Sequence, residues 1–188
     1  MKKTSLVAAL LVCIFFSCPK ENQTDEAGGE DWLDGSGDYN TNPKREIIDD
    51  FMKNGPDFPI GDNLQEIVEH LGEPIKKTVI EKQNIHNPEK TDLIEELYYE
   101  GLFLRIYHVT DMNRDIVVTI EVTGDEYDIQ HRLVIGSKKE QVLAVLGEPD
   151  EEKSNILRYL AGEYVFGAVE FSFRDDILVS ITWHYFID

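Results

Sequence analysis

The sequence predicts an α+β fold: two tandem helix–strand–strand–strand repeats, with short helices packed on one face of an antiparallel sheet. Three observations lead there. Residues 60–74 recur as residues 135–149 with six identities at a constant offset of 75. Each copy is followed by short runs in which apolar and polar residues alternate, the pattern of strands with one buried face. The final runs of the two copies also match, Asp115-Ile116-Val117-Val118-Thr119-Ile120 against Asp176-Ile177-Leu178-Val179-Ser180-Ile181.

In chain order, Lys2 and Lys3 precede an apolar run from Leu6 to Phe16. Eleven residues fall short of the ~20 that span a bilayer. They suit the hydrophobic stretch of an export signal over residues 1–17. The run ends Phe15-Phe16-Ser17-Cys18, a small residue before a cysteine, which predicts cleavage after Ser17 and lipid on Cys18. Cys13 leaves with the signal, so the mature chain keeps one modified cysteine and no intramolecular disulfide. Residues 18–57 then read as an acidic flexible tether. Between 19 and 57 there are eleven acids and four bases, and apolar residues are too few to offset the entropy of ordering. A short helix near 43–53 interrupts the tether. Asn42 is expected to cap it and Pro43 to open it, and Ile47, Ile48, Phe51 and Met52 share a face expected to dock on the main domain.

The folded domain is expected over 58–188, with repeats at 58–123 and 133–188. Asp62 with Gln65, and Ser137 with Glu140, form expected capping boxes. Leu64, Ile67, Val68 and Leu71 make a helical stripe, echoed by Val142, Leu143 and Leu146. Gly72 and Gly147 suit the left-handed residue that ends a helix, with Pro74 and Pro149 two positions on. Strand-like runs follow at 77–81, 94–99, 102–109 and 116–122, then at 156–160, 165–173 and 177–185. Residues 111–114 and 174–175 supply hairpin turns, and 82–92 reads as a polar loop. Alternation places Trp183 and Tyr185 on one face with Ile177, Val179 and Ile181, and His184 and Phe186 on the other.

The pattern Gly-x-[Ser/Asp]-x-x-[Glu/Gln]-x-[Val/Ile]-x-x-x-Leu-Gly-x-Pro, followed by meandering strands, resembles the SmpA/OmlA (BamE) lipoprotein family. It is also similar to the unit that the β-lactamase inhibitory protein family carries in tandem. The first resemblance implies a small outer-membrane lipoprotein of the β-barrel assembly machinery, and the second a protein inhibitor. Neither implies catalytic residues.

Charge and motifs narrow the chemistry. The net charge is −19, and it becomes −21 once Lys2 and Lys3 leave with the signal. Such a surface repels phosphate backbones and anionic headgroups, so nucleic acid and adhesion through a basic patch are not expected. His70, His86, His108, His131 and His184 show no metal-ligand spacing. There is no thiol nucleophile, Gly-x-Ser-x-Gly or phosphate loop, so no catalytic residue, metal or cofactor is assigned. The acids Glu95, Glu96 and Glu100 read as a solvated strand face rather than a calcium site. Aromatics are the remaining candidates, either as core or as anchors of a partner interface on an open sheet face. The partner-binding candidates are Tyr98, Tyr99, Phe103, Tyr107, Tyr159, Trp183 and Tyr185, with Tyr164 also in a strand-like run. The expectation is a non-enzymatic scaffold of the bacterial cell envelope. Lipidated Cys18 would hold it to a membrane, at the outer membrane or periplasmic face rather than the cell surface, with an envelope protein as partner. An enzyme inhibitor and a small-ligand-binding lipoprotein are the alternatives.

Overall fold

A computed structural model describes residues 43–56, 60, 63–84, 87–110, 112–161 and 167–186. The export signal, Cys18, the tether up to residue 42, Asp62 and Tyr164 lie outside these residues. The fold is α+β. Helix α1 (Arg45–Asn54) and helix α2 (Leu64–Leu71) precede strands β1 (Lys76–Gln83), β2 (Thr91–Tyr99), β3 (Leu102–Val109) and β4 (Arg114–Val122). A 3₁₀ turn (Gln130–Arg132) leads to helix α3 (Lys139–Leu146) and strands β5 (Glu151–Lys153), β6 (Ile156–Ala161), β7 (Gly167–Arg174) and β8 (Ile177–Tyr185). All eight strands form one sheet, ordered β1-β2-β3-β4-β8-β7-β6-β5. Every pairing between them is antiparallel. The first half forms from the four strand-like runs named above, and the second adds a short strand, β5, to its three. The three-residue β5 is too short to carry a readable alternation. The loop expected over 82–92 shrinks, because β1 runs to Gln83 and β2 starts at Thr91.

Helices α2 and α3 start one residue later than expected. Helix α2 is capped by Asn63, whose side chain accepts from the Glu66 amide at 3.1 Å. A second bond comes from outside the helix: the Leu64 amide donates to Asp115 Oδ2 at 3.0 Å. At α3 the cap residue is Lys138, and its amide donates to the Gln141 side chain at 2.7 Å. The Ser137 hydroxyl instead accepts from the Val134 amide at 3.0 Å. Helix α1 begins at Arg45, leaving Pro43 in the preceding turn. Gly72 and Gly147 do close their helices at φ 79°, a left-handed angle that suits glycine, and their amides donate to Val68 and Leu143 carbonyls.

One sheet face feeds the buried cluster, and the pairing registers say which. Leu97, Leu104, Ile120, Trp183, Val169 and Tyr159 are successive cross-strand partners or share that face, and Ile120 at 4% is the most exposed of them. Ile48, Phe51 and Met52 from α1, Ile67 from α2, and Val142 and Leu146 from α3 belong to the same cluster. Two bulges reset the alternation. The register shifts between Arg105 and Ile106 so that Val118 of β4 has no direct partner, and between Ser172 and Phe173 so that Val179 of β8 has none. The second bulge corrects one sequence expectation. Leu178 is fully buried and Ile177 is 39% exposed, although strict alternation puts Ile177 with Trp183. The β7–β8 turn is Asp175-Asp176, both with positive φ (51° and 61°), the geometry of a two-residue hairpin turn.

Helix α1 belongs to the core rather than to a tether. The Phe51 ring stacks on Trp183 (centroids 5.3 Å apart, planes 10°) and lies 5.7 Å from Phe171. Trp183 Nε1–H donates to the Phe51 carbonyl at 3.2 Å. Arg45 pairs with Asp150 at 2.8 Å and also donates to the Leu160 carbonyl, while Asp150 accepts from the Leu160 amide at 2.7 Å. The helix is thereby tied to β6 by apolar burial and by a charge-assisted clamp.

Candidate functional site

The seven aromatic candidates separate by face. Tyr159 and Trp183 are fully buried and so cannot contact a partner. The Tyr159 ring meets Phe171 edge-on at 5.7 Å, and its hydroxyl donates to the Gly147 carbonyl at 2.9 Å. Tyr99 and Tyr185 also pack against the core, and the Tyr99 hydroxyl donates to the Gly72 carbonyl at 3.1 Å. These four serve packing and helix termination. Open-face alternation in β2, β6 and β8 would have warned of it, since each shares its face with core residues such as Leu97, Leu157 and Ile181.

Tyr98, Phe103 and Tyr107 lie on the opposite face and outside the buried cluster. The registers set them in rows. Lys76, Tyr98, Phe103 and Glu121 are consecutive cross-strand partners. A second row runs Thr78, Glu96, Arg105 and Thr119, and a third Ile80, Ile94, Tyr107 and Ile116. Two aromatics and an apolar row thus flank a charged row on β1–β4. The β8–β5 half of the same face continues the first row as Thr182, Glu170, Arg158 and Glu151, with no large apolar group. Ile80 is 43% exposed, and Tyr98, Phe103, Tyr107, Ile94 and Ile116 are half-buried.

The polar groups between these side chains hold them in place. Tyr98 and Phe103 rings stand 5.0 Å apart, with the Lys76 ammonium 4.7 Å from the Tyr98 centroid and Arg105 5.6 Å from that of Phe103. Arg105 Nη2 donates to Glu96 at 2.8 Å, and the Tyr98 hydroxyl donates to the same carboxylate at 2.9 Å. Burial alone would raise Glu96, but the bonds from Arg105 and Tyr98 outweigh it and hold the carboxyl below its ordinary value. The Tyr107 hydroxyl donates to Asp92, which also accepts from the Thr110 amide at 3.0 Å and Asn84 Nδ2 at 2.8 Å. The Tyr107 bond leads in lowering Asp92, and its counterpart pushes the Tyr107 phenol up to about 12. Tyr107 is therefore a neutral, fixed donor at neutral pH. On the other half, the His184 contact leads in lowering Glu170, with Arg158 also contributing.

The acids expected as one solvated face point in opposite directions, because adjacent strand residues alternate. Glu96 faces the aromatic rows. Glu95 turns to the core side at 7% exposure, paired with Lys77 at 2.6 Å and with His108 Nε2 at 3.4 Å. His108 Nδ1 contacts Asp115, the carboxylate that caps α2. Sequence spacing could not reveal this Glu95–His108–Asp115 chain, which exists only through strand register. Among the described residues, no group of three or more His, Cys, Asp or Glu side chains could hold a metal ion. No helix of the described residues is long and apolar enough to cross a membrane.

No family model, curated protein or solved structure matches this chain.

Proposed function

We propose that this chain is a lipid-anchored module of the bacterial cell envelope that holds another envelope protein against the β1–β4 half of its open sheet face, without catalysis. The observation that carries the reading is the aromatic and apolar surface on one half of that face. Tyr98, Phe103, Ile80, Ile94 and Tyr107 sit in two cross-strand rows on either side of a charged row and outside the core cluster, while the first row continues across β8–β5 as polar Thr182, Glu170, Arg158 and Glu151. Rigid, partly exposed tyrosines and phenylalanines lose little entropy on contact and commonly anchor interfaces. Lys76 beside the Tyr98 ring favours a partner that brings apolar side chains with a carboxylate near them. The anchor in this reading is lipid on Cys18 after removal of residues 1–17, and the acidic segment that follows is the spacer.

The same reading takes the fold as a duplication, each copy a helix followed by four strands, with α2 and α3 on the core face of the shared sheet. Four correspondences support it. The two meanders meet through their last strands, β4 and β8. The bulged residues Val118 and Val179 occupy matching positions in the two final runs. Gly72 and Gly147 have the same left-handed φ. Their carbonyls accept from Tyr99 and Tyr159 on the second strand of each meander.

The test is affinity capture from detergent-solubilised envelopes with the full chain and with a Tyr98→Ala, Phe103→Ala variant. Neither ring is in the core, so the variant should melt within a few degrees of wild type. A stoichiometric protein recovered by wild type and lost in the folded variant is the expected result. The same protein recovered equally by both would remove this face from the account.

A further inference from the structure

A second candidate site lies outside the open sheet face. A cleft of about 1090 Å³ opens between the C-terminal end of α1, the start of α2 and strand β4. Its volume reaches the upper end of the range usual for small-molecule sites, about 300–1,000 Å³. The floor is apolar, formed by Ile60, Val117, Ile120 and the Tyr185 ring, all of which belong to or pack on the core. The rim carries two exposed cations, Lys53 and Arg114.

The charges around the cleft bear on what it could take. The chain's net charge is −19, and several of its cations are paired: Arg45 with Asp150, Lys77 with Glu95, Arg105 with Glu96 and Lys139 with Glu152. Among the described residues, neither Lys53 nor Arg114 has a carboxylate within ion-pair distance. Among the described residues, the one carboxylate in the lining is Asp115, which is engaged by the Leu64 amide and by His108. Tyr185 supplies a third group. Burial pushes its phenol up to about 12, so it remains a protonated donor, and among the described residues its hydroxyl has no hydrogen-bond partner. Gly55 keeps the space beside it open: φ is 61°, and a Cβ there would lie 3.1 Å from the Tyr185 oxygen.

The corresponding junction at α3 shows what is special here. Its cleft is smaller, about 460 Å³, and has no wall from α1. Lys138 and Lys139 line it, but so do Glu140, Asp175 and Asp176, and both lysines are paired with glutamates. At α3 the Lys139 amide donates to the Asp176 main-chain carbonyl, whereas at α2 the Leu64 amide takes the Asp115 side chain.

We propose that the α1–α2–β4 cleft binds an anionic amphiphile, with Lys53, Arg114 and the Tyr185 hydroxyl on a carboxylate or phosphate head and Ile60, Val117 and Ile120 under its alkyl portion. Charge-assisted bonds from two cations select the head, and the apolar floor selects the tail. A free fatty carboxylate and a lysophospholipid share this chemistry. The proposal rests on side chains other than the docking rows, except for Ile116, which lines the cleft and also ends the third row.

The experiment is calorimetric titration of the full chain carrying Cys18→Ser, kept free of detergent, with decanoate, decyl phosphate and uncharged decanol below their micellar or solubility limits. Saturable one-to-one binding of at least one anion is expected, with decanol weaker by about tenfold or more. A Lys53→Gln, Arg114→Gln variant should lose about tenfold or more in affinity for that anion, while a Lys138→Gln, Lys139→Gln variant keeps it. Stronger binding of decanoate points to fatty carboxylates, and stronger binding of decyl phosphate to lysophospholipids. All four residues are surface cations, so melting temperatures should confirm that the variants are folded. No saturable binding of either anion, equal affinity for decanol, or unchanged affinity in the Lys53→Gln, Arg114→Gln variant would overturn the proposal.

Discussion

Replacing Phe51 with Ala measures whether α1 is part of the folded unit or merely rests on it. The side chain is fully buried, stacks on Trp183 at 5.3 Å and lies 5.7 Å from Phe171. Truncation removes the ring's burial and leaves a cavity bounded by a β-sheet that cannot collapse around it, so the expected cost is about 3–5 kcal/mol. Against a typical total of about 5–15 kcal/mol, that is a large fraction. At about 2–4 °C per kcal/mol for a domain of this size, melting should drop by roughly 6–20 °C. Urea unfolding followed by far-UV circular dichroism is the assay, because both tryptophans would confuse a fluorescence signal. A single transition at lower urea, with unchanged slope, is the expected form. A loss under about 1 kcal/mol would refute the reasoning, since an independent helix contributes to its own stability but not to that of the sheet.

Three further outcomes follow from the geometry. Gly167→Ala should cost about 1–3 kcal/mol, because a Cβ there would clash with the His184 carbonyl oxygen and with Met52 Cε; an unchanged urea midpoint would contradict this. Acid should weaken the fold through Asp92, Glu96 and Glu170. Each is held below its ordinary value (3.8, 4.5 and 4.5), so its contribution is complete above that value and is lost as pH falls through the lower folded one. Urea midpoints should thus be level near neutrality and decline below about pH 4.5, and a midpoint flat down to pH 3 would speak against these pairings. In cells fed labelled palmitate, the wild-type chain should carry label and a Cys18→Ala variant none; label retained by the variant would remove the proposed anchor.

Local patterns in the sequence predicted the α+β class, and the described residues agree. Capping glycines and the apolar stripes of α2 and α3 are short-range signals, so their positions were readable. The limits came from longer-range causes. Strict alternation put Ile177 with Trp183, but the bulge at Val179 hands the buried position to Leu178. The candidate list took every strand aromatic without separating the faces, so Tyr98 and Tyr159 looked equivalent, although Tyr159 shares the face of core Leu157 and is buried while Tyr98 alternates away from core Leu97 and faces outward. The segment around α1 is acidic and sparse in apolar residues, but the helix's own face of Ile47, Ile48, Phe51 and Met52 already pointed to docking on the main domain. That face is in the core, and the one thing spacing could not show is that Phe51 stacks on Trp183. The cleft cations Lys53 and Arg114 are 61 residues apart, and no spacing rule connects them.

The most direct test of the docking account places a photo-crosslinking phenylalanine analogue at Tyr98 or Phe103 in living cells, with Thr182 on the polar half of the same face and Met112 elsewhere on the surface as controls. The account predicts one protein adduct of constant mass at Tyr98 and Phe103 and none at Thr182 or Met112. Equal yields at all four positions, or an adduct only at the controls, would contradict it.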